Sequence, residues 1–223
     1  MRARRLSLVF PLLSAAAVAQ SADVWYPTKP GAKWIYAHET RDENGHGRDH
    51  PEVHRWTTEE TITGSWTVPE GMLVERQVRI VEGAPGLGYR VPPEQADLIR
   101  ENCLYRNVDW DRPSRQLTLD YRKWLTAGEY SPELCFPLSI HKVWGAPNWG
   151  GTRPASEAKD WQVVDVSGPL PLFHLKSISS YLGSGMTGEI WFQKGVGIVR
   201  DEYIHHGTLG EQRMRLVSFQ AAP

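Results

Sequence analysis

The sequence predicts an all-β protein with a minor helical part: a sandwich, barrel or curved half-barrel whose C-terminal third is a strand meander. Three observations carry this. Runs such as "KWIYAHET" (Lys33 to Thr40) alternate with period two, setting Trp34 and Tyr36 on one face and Ile35 and Ala37 on the other. Toward the C-terminus, "DWQVVDVSG", "LFHLKSISSYLG", "GEIWFQK", "GIVRDEYIHH" and "QRMRLVSFQ" form five short apolar-rich runs separated by Gly or Pro. Helical periodicity is scarce throughout.

Taken in order, the chain opens on "MRARRLSLVFPLLSAAAVAQ". Arg2, Arg4 and Arg5 make a positive start, Leu6 to Leu13 an apolar run, and Ala17-Val18-Ala19 a small-x-small cleavage pattern. Residues 1–19 therefore read as a signal peptide, and 20–223 as one β-rich domain, since no low-complexity linker divides it. The apolar run is too short to span a bilayer stably, and no other long one follows, so the mature chain has no predicted transmembrane segment. Processing removes three arginines and takes the formal net charge from −1 to −4. A periplasmic or secreted location follows. The charge balance offers no basic footprint for nucleic acid. In an exported chain, the two cysteines, Cys103 and Cys135, favour a disulfide. It would close a loop of about 30 residues, worth roughly 3–4 kcal/mol on the chain-entropy account.

After the first strand, Asn44-Gly45 signals a hairpin turn. "EVHRWTTEETITGSWTV" continues as a strand in which His54, Trp56 and Thr58 share a face. "GMLVERQVRIVEG" is another, with Val74, Val78 and Ile80 together. "PPEQADLIRENCLY" reads as the start of a short helix, with Pro92-Pro93 before it, acidic residues in its first turn and Leu98 and Ile99 inward. A hairpin is predicted around Asp111 to Ser114, and "NWGGTRPASEAKD" is a loop by composition. The "KGVG" between the two runs at Glu189–Tyr203 places Gly195 and Gly197 where strands must reverse, a turn or bulge.

Three landmarks carry a resemblance. "WYPTKPGAKWIY" (Trp25 to Tyr36) resembles the YFPLxxGxxWxY-like opening of exported bacterial β-rich proteins of unknown function, with Thr28 where Leu is usual. "LCFPLSIHKVWG" (Leu134 to Gly145) is similar to their internal element, and "IWFQKGVGIVRDEY" to their WFxxGVGxVRxE-like closing signature. The resemblance implies a single curved antiparallel sheet like that of lipoprotein-carrier proteins, and no activity. Physically, Trp34 and Trp144 suit large core plugs, and Pro27, Pro30 and Pro137 stop neighbouring segments from pairing.

No catalytic constellation stands out, and no cofactor motif. His46, His50 and His54 lie four apart, a spacing that would stack imidazoles on a helix and hold zinc. Pro51 and Gly47 oppose a helix there, and the pattern matches neither common zinc motif, so a solvated loop is preferred. His205-His206 point to opposite faces of a strand. "GSGMTG" matches a dinucleotide fingerprint literally but precedes a strand, so it reads as a turn. Glu59-Glu60 and Asp109/Asp111 read as solvated carboxylates. Trp144 and Trp149, in "VWGAPNWGG", are the candidate ligand-binding residues, able to stack on a sugar or cover an apolar cavity. The leading expectation is an envelope protein holding an apolar small molecule or an envelope protein partner on a concave β surface. The alternative is a secreted hydrolase, metal-dependent through the His46/His50/His54 loop.

Overall fold

The computed structural model describes residues 24–42, 52–86, 90–146, 160–177, 186–205 and 210–223. The expected signal peptide, the Asn44-Gly45 turn and the loop at 148–159 lie outside these residues. Fourteen strands are present among them: β1 (Lys33–Asp42), β2 (Glu52–Val68), β3 (Gly71–Gly83), β4 (Glu94–Arg100), β5 (Cys103–Tyr105), β6 (Trp110–Asp111), β7 (Gln116–Leu117), β8 (Leu134–Cys135), β9 (Val143–Trp144), β10 (Trp161–Ser167), β11 (Leu172–Ser177), β12 (Met186–Gln193), β13 (Gly197–His205) and β14 (Gly210–Gln220). One helix, α1 (Leu119–Ala127), interrupts them. Twelve strands form a single sheet in the order β8-β5-β4-β3-β2-β1-β14-β13-β12-β11-β10-β9, and β6-β7 is a separate hairpin. Among the described residues the pairings of the large sheet are all antiparallel, with β14 returning beside β1.

The sheet curls until its two ends nearly meet. Side chains rather than a ladder join the seam. The Trp144 indole donates to Pro132 O at 3.2 Å, and Lys142 Nζ donates to Cys135 O and Pro137 O at 2.7 and 2.8 Å. Cys103 and Cys135 face each other across β5 and β8 and form the expected disulfide.

Alternation decides what fills the interior. From β1 and β2, Trp34, Tyr36, Trp56, Thr58, Glu60 and Ile62 are buried. Val74 and Val78 of β3 are buried as the pattern requires, while Ile80, last in that row, is exposed. The other face of β3 and β4 is also covered. Leu73, Ala96 and Leu98 meet Val108, just before β6, Leu117 of β7, and Tyr121 and Leu125 of α1, forming a second, smaller core. α1 is short but well capped. Thr118 accepts from Tyr121 N, Asp120 sits in the first turn, and Gly128 closes the last turn at φ 72°. The cap is worth about 1 kcal/mol.

One expectation is overturned here. The segment beginning "PPEQADLIR" is not helical: Glu94–Arg100 is a strand paired to β3 from Met72↔Ile99 to Gln77↔Glu94. Its residues from Ala96 to Ile99 are buried on both faces, Leu98 outward under α1 and Asp97 inward. A strand covered on both sides loses the polar/apolar alternation that would have identified it.

The "KGVG" segment is the tight connection of the β12–β13 hairpin. Gly195 and Gly197 take φ of +76° and +107°. The turn is tied down from outside: Gly195 N donates to Trp25 O at 2.8 Å, the Trp34 indole to Val196 O at 2.6 Å, and Tyr36 OH to Ile198 O at 3.0 Å. Phe192 is buried inside the barrel and Trp191 lies on the outer face, stacked on His174 with ring centroids 4.3 Å apart. Phe136 of the internal element stacks on Trp25 at 5.5 Å and contacts Phe192 at 5.4 Å. The three landmarks thus converge on one aromatic plug, which closes one end of the barrel.

Candidate functional site

The other end of the barrel is polar and partly open. A cavity of about 540 Å³ lies there, walled by inward residues of β1, β2, β3, β13 and β14 and roofed by residues 90–92, 94–96 and 106–110. Its chemistry comes from His38, Thr58, Glu60, Arg106, Asp201 and Gln212. Strand parity places most of them. His38 follows Trp34 and Tyr36 on β1, and Thr58 and Glu60 lie between Trp56 and Ile62 on β2. Asp201 sits opposite Ile190 and Met214, both core residues.

Beneath the cavity is a buried ionic cluster. Arg76, fully buried on β3, reaches Glu60 through Nη1 and grips Asp97 through Nη2 (3.0 Å to Oδ1) and Nε (2.9 Å to Oδ2). Its Nη2 also donates to Asn107 Oδ1 at 3.0 Å. Tyr26 OH and the Asn107 amide donate to Asp97 at 2.9 and 3.2 Å. Burial opposes the charge on Arg76, but Asp97 and Glu60 more than offset it and hold the guanidinium protonated. Burial, and then the Asp97 charge, push the Tyr26 phenol well above its ordinary range, so it stays a donor. Glu60, expected to be a solvated carboxylate, is therefore a buried ion-pair partner. Its neighbour Glu59 does face outward, pairing with Lys33 and Arg79.

Three groups on the wall are less completely served. His38 Nε2 lies 2.8 Å from Thr58 Oγ1, while its buried Nδ1 has no hydrogen-bond partner among the described residues. Burial lowers the His38 pKa to about 4, so the ring is neutral. Arg106 pairs with Glu133 at 3.4 Å, and its buried Nε has no hydrogen-bond partner among the described residues. Asp201 is pushed up to about 7, first by burial and then by the Glu133 charge. The hydroxyl–imidazole pair is a poor nucleophile: the base is weakened, Thr58 is buried, and no described acid orients Nδ1.

The residues singled out in the sequence lie elsewhere. Trp144 is buried at the seam, with its indole N–H satisfied by Pro132. Trp149, His46 and His50 fall outside the described residues. His54 is on β2, with Nε2 3.3 Å from Glu52 Oε1. Among the described residues, no group of three His, Cys, Asp or Glu side chains is arranged to hold a metal. The cavity residues had one detectable signal: charge at an inward parity. Arg76 alternates with Val74 and Val78 in "VERQV", and Glu60 with Thr58 and Ile62 in "TEETI".

No family model and no curated protein matches the chain. Among solved structures it is similar to a protein from Bacteroides fragilis NCTC 9343 assigned as exported and as having a YmcC-like fold, at 10% identity over 88% of this chain and 99% of that one, TM-score 0.44. It is also similar to a protein from Parabacteroides distasonis ATCC 8503 assigned as a lipoprotein, at 10% identity over 87% and 97%, TM-score 0.40. A weaker likeness is to a domain from Vibrio parahaemolyticus assigned as an outer membrane lipoprotein-sorting protein, at 8% identity over 85% of each chain, TM-score 0.22. All three TM-scores lie below 0.5, a level of likeness that carries no function to this chain.

Proposed function

We propose that this is an exported cell-envelope protein, non-catalytic, that binds a small polar molecule in the open end of its barrel. The carrying observation is the cavity of about 540 Å³, whose wall combines buried charge with polar nitrogens lacking a described partner. The size suits a small ligand. An apolar ligand is less well served, because the aromatic half of the interior is filled by the protein's own side chains. Export is supported by the arginine-rich start, the apolar run and Ala17-Val18-Ala19, and by a disulfide that an oxidising compartment maintains. The same compartment suits the family that the three landmarks resemble.

Native mass spectrometry of the protein purified from its own envelope tests both parts. The expected species is a chain beginning near Gln20 with a small-molecule adduct, the adduct being absent from a Gln212→Trp variant that fills the cavity. A chain retaining Met1 overturns export. An adduct that survives in folded Gln212→Trp overturns the location of the site, and a bare polypeptide mass from gently handled envelope overturns binding.

A further inference from the structure

Resting on that reading of the cavity, we infer that its ligand is a cation, a protonated amine or quaternary ammonium, held against Asp201. The argument begins with charge. Among the described residues, the polar half of the interior holds two guanidiniums, Arg76 and Arg106, and four carboxylates, Glu60, Asp97, Glu133 and Asp201, while Arg90, Glu94 and Asp109 line the cavity from exposed positions. Arg76 is engaged by Glu60 and Asp97, and Arg106 by Glu133. Asp201 is left over: its side chain makes no hydrogen bond or ion pair among the described residues, although it lines the cavity between core residues Ile190 and Met214. An ionised carboxylate in such a place is costly unless a positive charge joins it.

The rest of the wall favours the same class. Trp56 and Trp110 line the cavity; His38 covers one face of the buried Trp56 at 4.9 Å with rings 5° from parallel, so the aromatic surface open to a cation is chiefly that of the half-buried Trp110. His38 is neutral and adds no opposing charge. Arg106 has an Nε–H unused among the described residues, but its Nη1 is held by Glu133, and an anion drawn to it would also face Asp201 and Glu60. Beside an uncharged ligand Asp201 could be neutralised only by taking up a proton. Arg90 is at the rim and exposed, where solvent screens it.

Binding of a cation should be linked to protons. The groups acting on Asp201 are Glu133 and Arg106 from the segment across the barrel and Glu202 on its own strand. Glu60, His38 and the uncharged Gln212 face the same cavity from β2, β1 and β14, and Arg90, Glu94 and Asp109 face it from the roof. With Asp201 titrating near 7, a cation must displace a proton below that pH.

Three probes of one size test this: phenethylammonium, 2-phenylethanol and phenylacetate, titrated by calorimetry into the purified mature protein at pH 8 and pH 6. The expected result is that only the amine binds, about tenfold more weakly at pH 6. Asp201→Asn, checked for folding by near-ultraviolet circular dichroism, should lose at least about tenfold in affinity along with the pH dependence. If the alcohol or phenylacetate binds as well as the amine, or if Asp201→Asn leaves amine affinity unchanged, the cation assignment is overturned while the cavity reading stands. If none of the three binds, the cation assignment is overturned, and the adduct experiment on Gln212→Trp decides whether the cavity reading falls with it.

Discussion

The two ends of the barrel are built from the same strands and obey the same inward parity, yet they are held together differently. At the plug, Trp25, Trp34, Phe136 and Phe192 fill space with rings. Each buried aromatic removes apolar surface from water, a gain that needs no particular partner. At the open end the inward positions carry Arg76, Glu60 and Asp97, whose burial is tolerable only through a specific partner. The plug is therefore stabilised by what its residues are, the open end by which residues meet.

That contrast can be broken by substitution. Arg76→Ala should have the largest effect, about 3–5 kcal/mol in urea unfolding, because Glu60 and Asp97 stay buried without a counter-charge. Replacing all three together, as Arg76→Met with Glu60→Leu and Asp97→Leu, should recover much of that loss. A triple variant as unstable as the single one would show that packing, not charge, holds this end. Trp34→Ala at the plug should cost about 3–5 kcal/mol, with no second-site change of charge able to restore it. Gly195→Val and Gly197→Val should each cost about 1–3 kcal/mol, since both glycines have left-handed backbone conformations. Space is not the reason at Gly195, where an added Cβ meets nothing within 4 Å, so thermal midpoints unchanged in both variants would remove backbone strain from the account of the plug.

A further effect is a slope with pH. The Asp201 pKa is raised to about 7 in the folded chain from an ordinary value near 3.9. The folded state thus binds the extra proton between those values, and Asp201 costs nothing below about pH 4 and its full penalty above about pH 7. His38, lowered to about 4, works the other way: its penalty grows as pH falls from about 6.5 toward 4. Asp201→Asn should melt within a degree or two of the parent at pH 4.5 and several degrees higher at pH 8. Equal midpoints at both would mean that the fold does not raise the Asp201 pKa.

The sequence revealed the plug more clearly than the open end, for the same physical reason. Trp34 and Tyr36 announce a buried face by alternation alone, and Gly195 and Gly197 announce a reversal by composition. Glu60 looks like any strand carboxylate until Arg76 is known to be diagonal to it across β2 and β3. Asp201 needs β12 and β14 in place before its position opposite Ile190 and Met214 can be seen. β4 escaped because burial on both faces erased its pattern, and α1 because nine residues carry too few turns to show a period.

The seam has a further consequence. A sheet that stops short of closure leaves two edge strands, and an edge is a template on which another chain can add itself. Here the strands at both ends are two residues long, β8 and β9. The disulfide fastens β8 to its neighbour, while Trp144 and Lys142 clasp Pro132, Cys135 and Pro137 across the gap. Little backbone is offered for strand exchange. Reducing conditions that release β8 should therefore be felt first as self-association of the barrel, measurable by light scattering before its fluorescence reports unfolding.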